Sequence, residues 1–179
     1  MKAKYLFLIL IVFLIFSCKQ GDNRQMVQKN NGVENGNLKD ALITQNRQLI
    51  FEEMELIDAF SERYHLNPDT TATGLRYKII EASSGKPVRL MSDVTISYTA
   101  SLLNGDVCYS SDSTGLLTFT IGQSDQPSGL QEGILKMKEG EKAVLIVPSY
   151  LAYGITGDGI CIPGSSSIYY ELKLEKVKN

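Results

Sequence analysis

An α+β fold, in which an antiparallel sheet wraps on one short helix and a long helix precedes it, is predicted by three observations. After Asn67 the apolar residues alternate with polar ones: Leu75, Tyr77 and Ile79, then Val94, Ile96 and Tyr98, then Phe119 and Ile121, and finally Ile168, Tyr170, Leu172 and Leu174. This period of two is that of half-buried strands. Within the same region the only helical spacing lies at Gly129 to Lys138, where Leu130, Ile134 and Met137 share a face. Before Asn67, by contrast, Leu42, Ile43, Leu49, Ile50, Met54, Leu56, Ile57, Phe60 and Tyr64 fall on one broad helical stripe. Strands and helices segregated in this way define the class.

In chain order, residues 1–17 read as an export signal. Lys2 and Lys4 precede an apolar run, Tyr5 to Phe16, that is too short to span a bilayer. Residues 18–37 are rich in Asn, Gln and Gly with few large apolar groups, so a flexible tether is expected. A helix over 38–67 follows, with Asn37 as its cap and Asn67-Pro68 as its stop. Its stripe calls for cover, either on the domain itself or in a homodimer seam, since Ile43, Ile50, Ile57 and Tyr64 repeat every seven residues. Residues 73–179 hold the sheet. There the run Ala143 to Val147 suits a strand buried on both faces, and Pro148 cannot continue its ladder. Beyond it Tyr150, Leu151 and Tyr153 are large and apolar, while Gly154, Gly157 and Gly159 impose a loop. Aromatics on such a loop line a pocket or close a core.

Composition excludes several classes. A formal net charge of −2 leaves no basic footprint for nucleic acid. Removing residues 1–17 takes away two lysines and no acid, so the remainder is more acidic still. His65 is the one histidine, expected as a dipole partner at the helix end, and it gives no support to a metal site or a histidine triad. No cofactor is implied.

The segments Val-Pro-Ser-Tyr-Leu-Ala-Tyr-Gly (147–154) and Ile-Pro-Gly (162–164) resemble the FKBP-type peptidyl-prolyl isomerases. The likeness runs upstream through Gly129-Leu-Gln-Glu-Gly-Ile-Leu-Lys-Met-Lys-Glu-Gly140 and Ile96-Ser-Tyr-Thr99, and covers residues 73 to 178. It implies an FKBP-like half-barrel and proline-containing polypeptide substrates. Prolyl isomerisation is opposed only by rotation about an amide, a barrier of ~18–20 kcal/mol. A dry aromatic slot with a hydrogen-bond donor is sufficient chemistry for it. By resemblance, the catalytic set is Tyr98 as a wall, Tyr153 as donor to the substrate carbonyl, Ile162 before the loop proline, Tyr170 on the last strand and Leu130 as the floor. Phe119 matches a core phenylalanine. For each of these residues plain core packing is the competing reading.

Several positions depart from the family pattern. Where the family reads Gly-x-x-Phe-Asp-Ser-Ser, this chain has Gly105-Asp-Val-Cys108-Tyr109-Ser-Ser111. Leu117 stands for a wall aromatic, and Gln126-Pro127 for the pair whose amide reaches the substrate, so Pro127 has no hydrogen to give. Weak turnover is the expected consequence, and a non-catalytic binding or chaperone module of the same fold is the alternative. The resemblance also puts Cys108 and Cys161 on facing walls, which suggests a disulfide; two small buried thiols filling apolar space are the competing reading.

Leu14-Ile15-Phe16-Ser17-Cys18 resembles a bacterial lipobox, which implies acyl chains on Cys18 and attachment to a membrane. Lys19 lacks an acidic retention signal, so an outer-membrane lipoprotein facing the periplasm is expected. Lipobox, helix and isomerase domain in this order resemble the gliding-motility-associated FKBP-type lipoproteins of Gram-negative bacteria.

Overall fold

The computed structural model describes residues 31–179, with side chains from Asn37 onward. The expected export signal, Cys18 and residues 18–30 of the expected tether lie outside the described residues. A 33-residue helix, α1 (Asn31–Arg63), comes first. It begins inside the stretch expected as tether, because adding residues to an existing helix costs far less than nucleating one. It also stops short of Asn67. Glu62 O accepts from His65 N at 3.1 Å and Ser61 O from Leu66 N at 3.0 Å, while His65 adopts φ 52°. That left-handed residue closes a Schellman cap, so the exposed His65 terminates the helix through its backbone.

Seven strands follow in one antiparallel sheet: β1 (Asp69–Thr70), β2 (Arg76–Glu81), β3 (Asp93–Leu102), β4 (Val107–Ser110), β5 (Leu117–Thr120), β6 (Lys142–Val147) and β7 (Ile168–Lys178). Their order is β1-β2-β6-β7-β3-β4, and β5 also pairs with β3. The far edge of β3 is thus shared: Asp93 to Ile96 pair with β5, and Thr99 to Ser101 with β4. At the gap between them the amide of Tyr98 donates to Ser111 Oγ at 3.0 Å. Ser111 opens a single helical turn, α2 (Ser111–Thr114), which the strand pattern of the sequence did not announce.

One face of the sheet curls around α3 (Ser128–Ile134), whose Leu130, Ile134 and the following Met137 are each at most 1% exposed. The helical spacing expected as far as Lys138 ends at Ile134 in tighter turns. There Met137 O is drawn off to accept from Val88 N, and Pro87 bridges to Lys138. Ala143, Leu145 and Val147 of β6 belong to this core, with Ile96, Phe119, Tyr170, Leu172 and Leu174. The other face of β6 is covered as well. Ile146 packs with Ile57 and Phe60 of α1, beside Met54, Leu66 and Tyr169. The ring of Phe60 lies 5.2 Å from that of Tyr169. Under the same helix, buried Arg76 reaches Asp58 Oδ1 through Nη2 at 2.8 Å and Nε at 3.2 Å. The seven-residue repeat therefore divides: Ile57 is spent within the chain, while Ile43, Ile50 and Tyr64 remain 39%, 46% and 55% exposed.

Candidate functional site

Pro148 ends β6, and a turn of 3-10 helix, Ser149–Leu151, starts the loop that runs to β7. Both ends of this loop are held by one side chain. Glu53 Oε1 accepts from Ser149 N at 2.7 Å and from Ser167 Oγ at 2.6 Å, and its Oε2 from Ser149 Oγ at 3.0 Å. Tyr150 leaves the loop's inner side and donates to Thr73 O at 2.7 Å, so it does not join the other tyrosines. Leu151, Ala152 and Tyr153 turn inward and pack against the core.

At that edge of the core the sheet supplies Tyr98 from β3, Cys108 and Tyr109 from β4, Leu117 and Phe119 from β5 and Tyr170 from β7. Helix α3 supplies Leu130, and the loop Tyr153 and Ile162. The rings of Tyr98 and Tyr170 are 6.3 Å apart and tilted by 42°. Burial pushes the Tyr170 phenol well up, and the neighbouring Tyr153, Tyr98 and Tyr109 push in the same direction. Burial likewise raises Tyr153, helped by Asp158 and Tyr98. Both phenols thus stay protonated as donors at any ordinary pH. Neither they nor Tyr98 hydrogen-bond through the hydroxyl to another described residue, while Ser124 Oγ is the one buried side-chain polar atom among the described residues without a partner. The hydroxyls of this cluster consequently face open space.

Gln126 and Pro127 sit at the mouth of α3. Gln126 O accepts from Gln131 Nε2 at 2.7 Å, and buried Pro127 caps the helix. Cys108 and Cys161 are joined in a disulfide with their Cα atoms 5.6 Å apart. Cys161 is exposed and Cys108 half-buried.

Beside the disulfide lies a residue that sequence reasoning passed over. Asp158 Oδ1 accepts from the amides of Ile160, Cys161 and Ile162 at 2.9, 3.0 and 2.8 Å, and Oδ2 accepts the phenol of Tyr109. Burial works against its charge, but the phenol and the three amides outweigh it and hold the carboxyl down at about 2. The same bond, with burial behind it, lifts the Tyr109 phenol to about 12. Tyr109 stands where the family pattern has an aspartate; here the carboxylate comes from the opposite loop. The signal for Asp158 was its setting in Gly157-Asp158-Gly159, a sequence suited to a side chain that bonds the backbone ahead of it. Glu53 had no such signal, being one polar residue among many on a helix.

A second concavity, of about 550 Å³, opens on the other face of the sheet between Ile80, Ser97, Thr99, Val144, Glu171 and Lys173. Lys142 and Lys173, which also line it, are paired with Glu81 and Glu175 at 2.7 and 2.8 Å. Among the described residues no group of three or more His, Cys, Asp or Glu could hold a metal ion, and no helix is long and apolar enough to cross a membrane.

A half-barrel closed over a short helix, with tyrosines at its open edge, defines a small domain with an aromatic-walled slot. The model of the family FKBP-type peptidyl-prolyl cis-trans isomerase matches residues 85–175, half of the chain, and the chain belongs to that family. Among curated relatives, a probable FKBP-type peptidyl-prolyl cis-trans isomerase FkpA of Neisseria meningitidis serogroup B is 37% identical over 109 residues, 60% of this chain and 39% of that protein. An FK506-binding protein of the same organism is 36% identical over 105 residues, 58% of this chain and 96% of its own length. The chain thus spans well under half of the first relative and nearly all of the second. The crystal structure of FkpA from Escherichia coli shares the fold, with a TM-score of 0.63 at 23% identity over 99% of this chain and 82% of that one.

Proposed function

We propose that this chain is a peptidyl-prolyl cis-trans isomerase of the bacterial envelope that turns over X-Pro bonds in proline-containing polypeptides, among them envelope or gliding-motility proteins. The observation that carries the proposal is Tyr153: half-buried, protonated, with its hydroxyl unbonded beside Tyr98 and Tyr170. In this reading the prolyl ring enters among Tyr98, Tyr170, Leu130 and Ile162, where water is excluded. Amide resonance, favoured by water, weakens there, and the Tyr153 hydroxyl donates to the carbonyl of the twisted bond. Leu117, Phe119 and Gln126 complete the walls. Pro127 offers no amide, so Tyr153 acts as the principal donor. Acyl chains on Cys18 would tie the protein to the outer membrane on its periplasmic side, and the exposed Ile43, Ile50 and Tyr64 are available for a homodimer seam.

One observation favours a second reading, a binding module without turnover: Cys108–Cys161 joins the strand wall to the loop wall of the slot. Proline-limited refolding of a test protein by the full chain, with and without a dithiol, separates the two. Turnover in both conditions is expected for an enzyme with an open slot. Turnover only after reduction would mean that the disulfide occludes it. A folded chain inactive in both would establish the binding module.

A further inference from the structure

We propose that Asp158 is a positioning residue of the isomerase slot, the group that sets Ile162 against the core and holds Tyr109 at the facing rim. The proposal rests on the isomerase reading and adds to it the residue that fixes the slot's loop wall.

Six residues, 157 to 162, close on themselves around one carboxylate. Asp158 N donates to Ile162 O at 3.0 Å, while Oδ1 gathers the amides of Ile160, Cys161 and Ile162. At φ 73° Gly157 allows this closure, because a Cβ there would run into the Ile162 carbonyl. Three amides converging on one oxygen fix the direction of each side chain between them. Ile160 is 86% exposed, whereas Ile162, two residues on, is 3% exposed and part of the core. The carboxylate therefore decides which isoleucine becomes wall and which becomes rim.

Asp158 also reaches across the slot. Consecutive residues of β4 tie the same loop at two places, Tyr109 by its phenol to Asp158 and Cys108 by its sulfur to Cys161. Each tie limits the freedom released when the other is lost, so the two should act non-additively. A residue that merely stabilises the fold has no reason to couple to the disulfide in turnover.

The test measures kcat and KM on a proline peptide, and amide hydrogen exchange at Ile160, Cys161 and Ile162, for the full chain and for Asp158→Ala, Asp158→Asn and Tyr109→Phe, each oxidised and after a dithiol has reduced the disulfide. A misplaced wall costs roughly 10- to 100-fold in rate. We expect Asp158→Ala to lose about tenfold in kcat/KM when oxidised and about a hundredfold when reduced. Its three amides should exchange faster while those of β7 do not. Asp158→Asn keeps an oxygen for the three amides and should recover most of the activity; Tyr109→Phe should lose only the cross-slot tie and fall between. Asp158→Ala within twofold of the unaltered chain in both redox states would overturn the proposal. So would losses that multiply independently of reduction. Should Asp158→Ala fail to fold, Asp158→Asn and Tyr109→Phe carry the same comparison. An unaltered chain without turnover refutes the isomerase reading, and the exchange rates alone then decide whether Asp158 holds the loop.

Discussion

Replacing Glu53 by Ala should cost stability out of proportion to its place on a half-covered helix. Its carboxylate satisfies three donors at the two ends of the site loop: Ser149 N at 2.7 Å, Ser149 Oγ at 3.0 Å and Ser167 Oγ at 2.6 Å. Both serines are buried, at 9% and 6% exposure. A buried donor left without a partner costs about 1–3 kcal/mol. The simple sum overstates the loss, because the vacated space admits water and the carboxylate's own desolvation is relieved. The expected net is about 2–4 kcal/mol, which lowers Tm by roughly 5–15 °C. Glu53→Gln keeps one acceptor oxygen and should lose about half as much. Urea unfolding is the assay, since a shift in midpoint at constant m-value isolates stability from changes in compactness. A midpoint for Glu53→Ala equivalent to less than about 0.5 kcal/mol would refute the idea that this side chain clamps the loop.

Reduction of Cys108–Cys161, which closes a sequence separation of 53 residues, should destabilise the chain by roughly 4 kcal/mol on the chain-entropy account, measured by the same unfolding with and without dithiol. The Tyr109–Asp158 pair sets a pH window. The Asp158 carboxyl is depressed from 3.8 to about 2, so its contribution is complete above the ordinary carboxylate range and fades as pH falls toward 2. The Tyr109 phenol is raised from 10.0 to about 12, so its contribution is complete below pH 10 and fades as pH climbs toward 12. Tm against pH should therefore fall at both extremes, and Tyr109→Phe should flatten the alkaline limb. Gly129→Ala would place a Cβ 2.5 Å from Val147 Cγ1 and 3.0 Å from Leu151 Cβ; despite alanine's better helix propensity it should cost about 1–2 kcal/mol, read by thermal unfolding.

The sheet was legible where burial alone writes the pattern. An unbroken apolar run at 143–147 means cover on both faces, and β6 has it, with α3 on one side and α1 on the other. Strict alternation at 168–174 likewise gives β7 its inward Tyr170, Leu172 and Leu174. Boundaries were less legible, because the left-handed cap falls on His65 rather than on a glycine, and the pull of Val88 on Met137 O comes from a neighbour distant in sequence. The tyrosine cluster could be drawn from motif resemblance. The carboxylates that arrange it could not: Asp158 acts by meeting Tyr109, 49 residues away, and Glu53 by meeting Ser149 and Ser167, 96 and 114 away. Polar contacts of that kind leave no periodic trace in a sequence.

The placement of β7 has a bearing on how the chain acquires its shape. Residues 168–178 lie between β6 and β3, paired with Lys142 to Val147 on one side and Asp93 to Leu102 on the other. Until they emerge from a ribosome, β6 and β3 have no common partner and the core keeps an open seam. Closing that seam joins segments 85 residues apart at its widest register, Asp93 with Lys178 being the extreme pairing, which is slow compared with forming helices. A nascent molecule thus waits with the facing edges of β6 and β3 unpaired, so the domain should itself depend on assistance while being made.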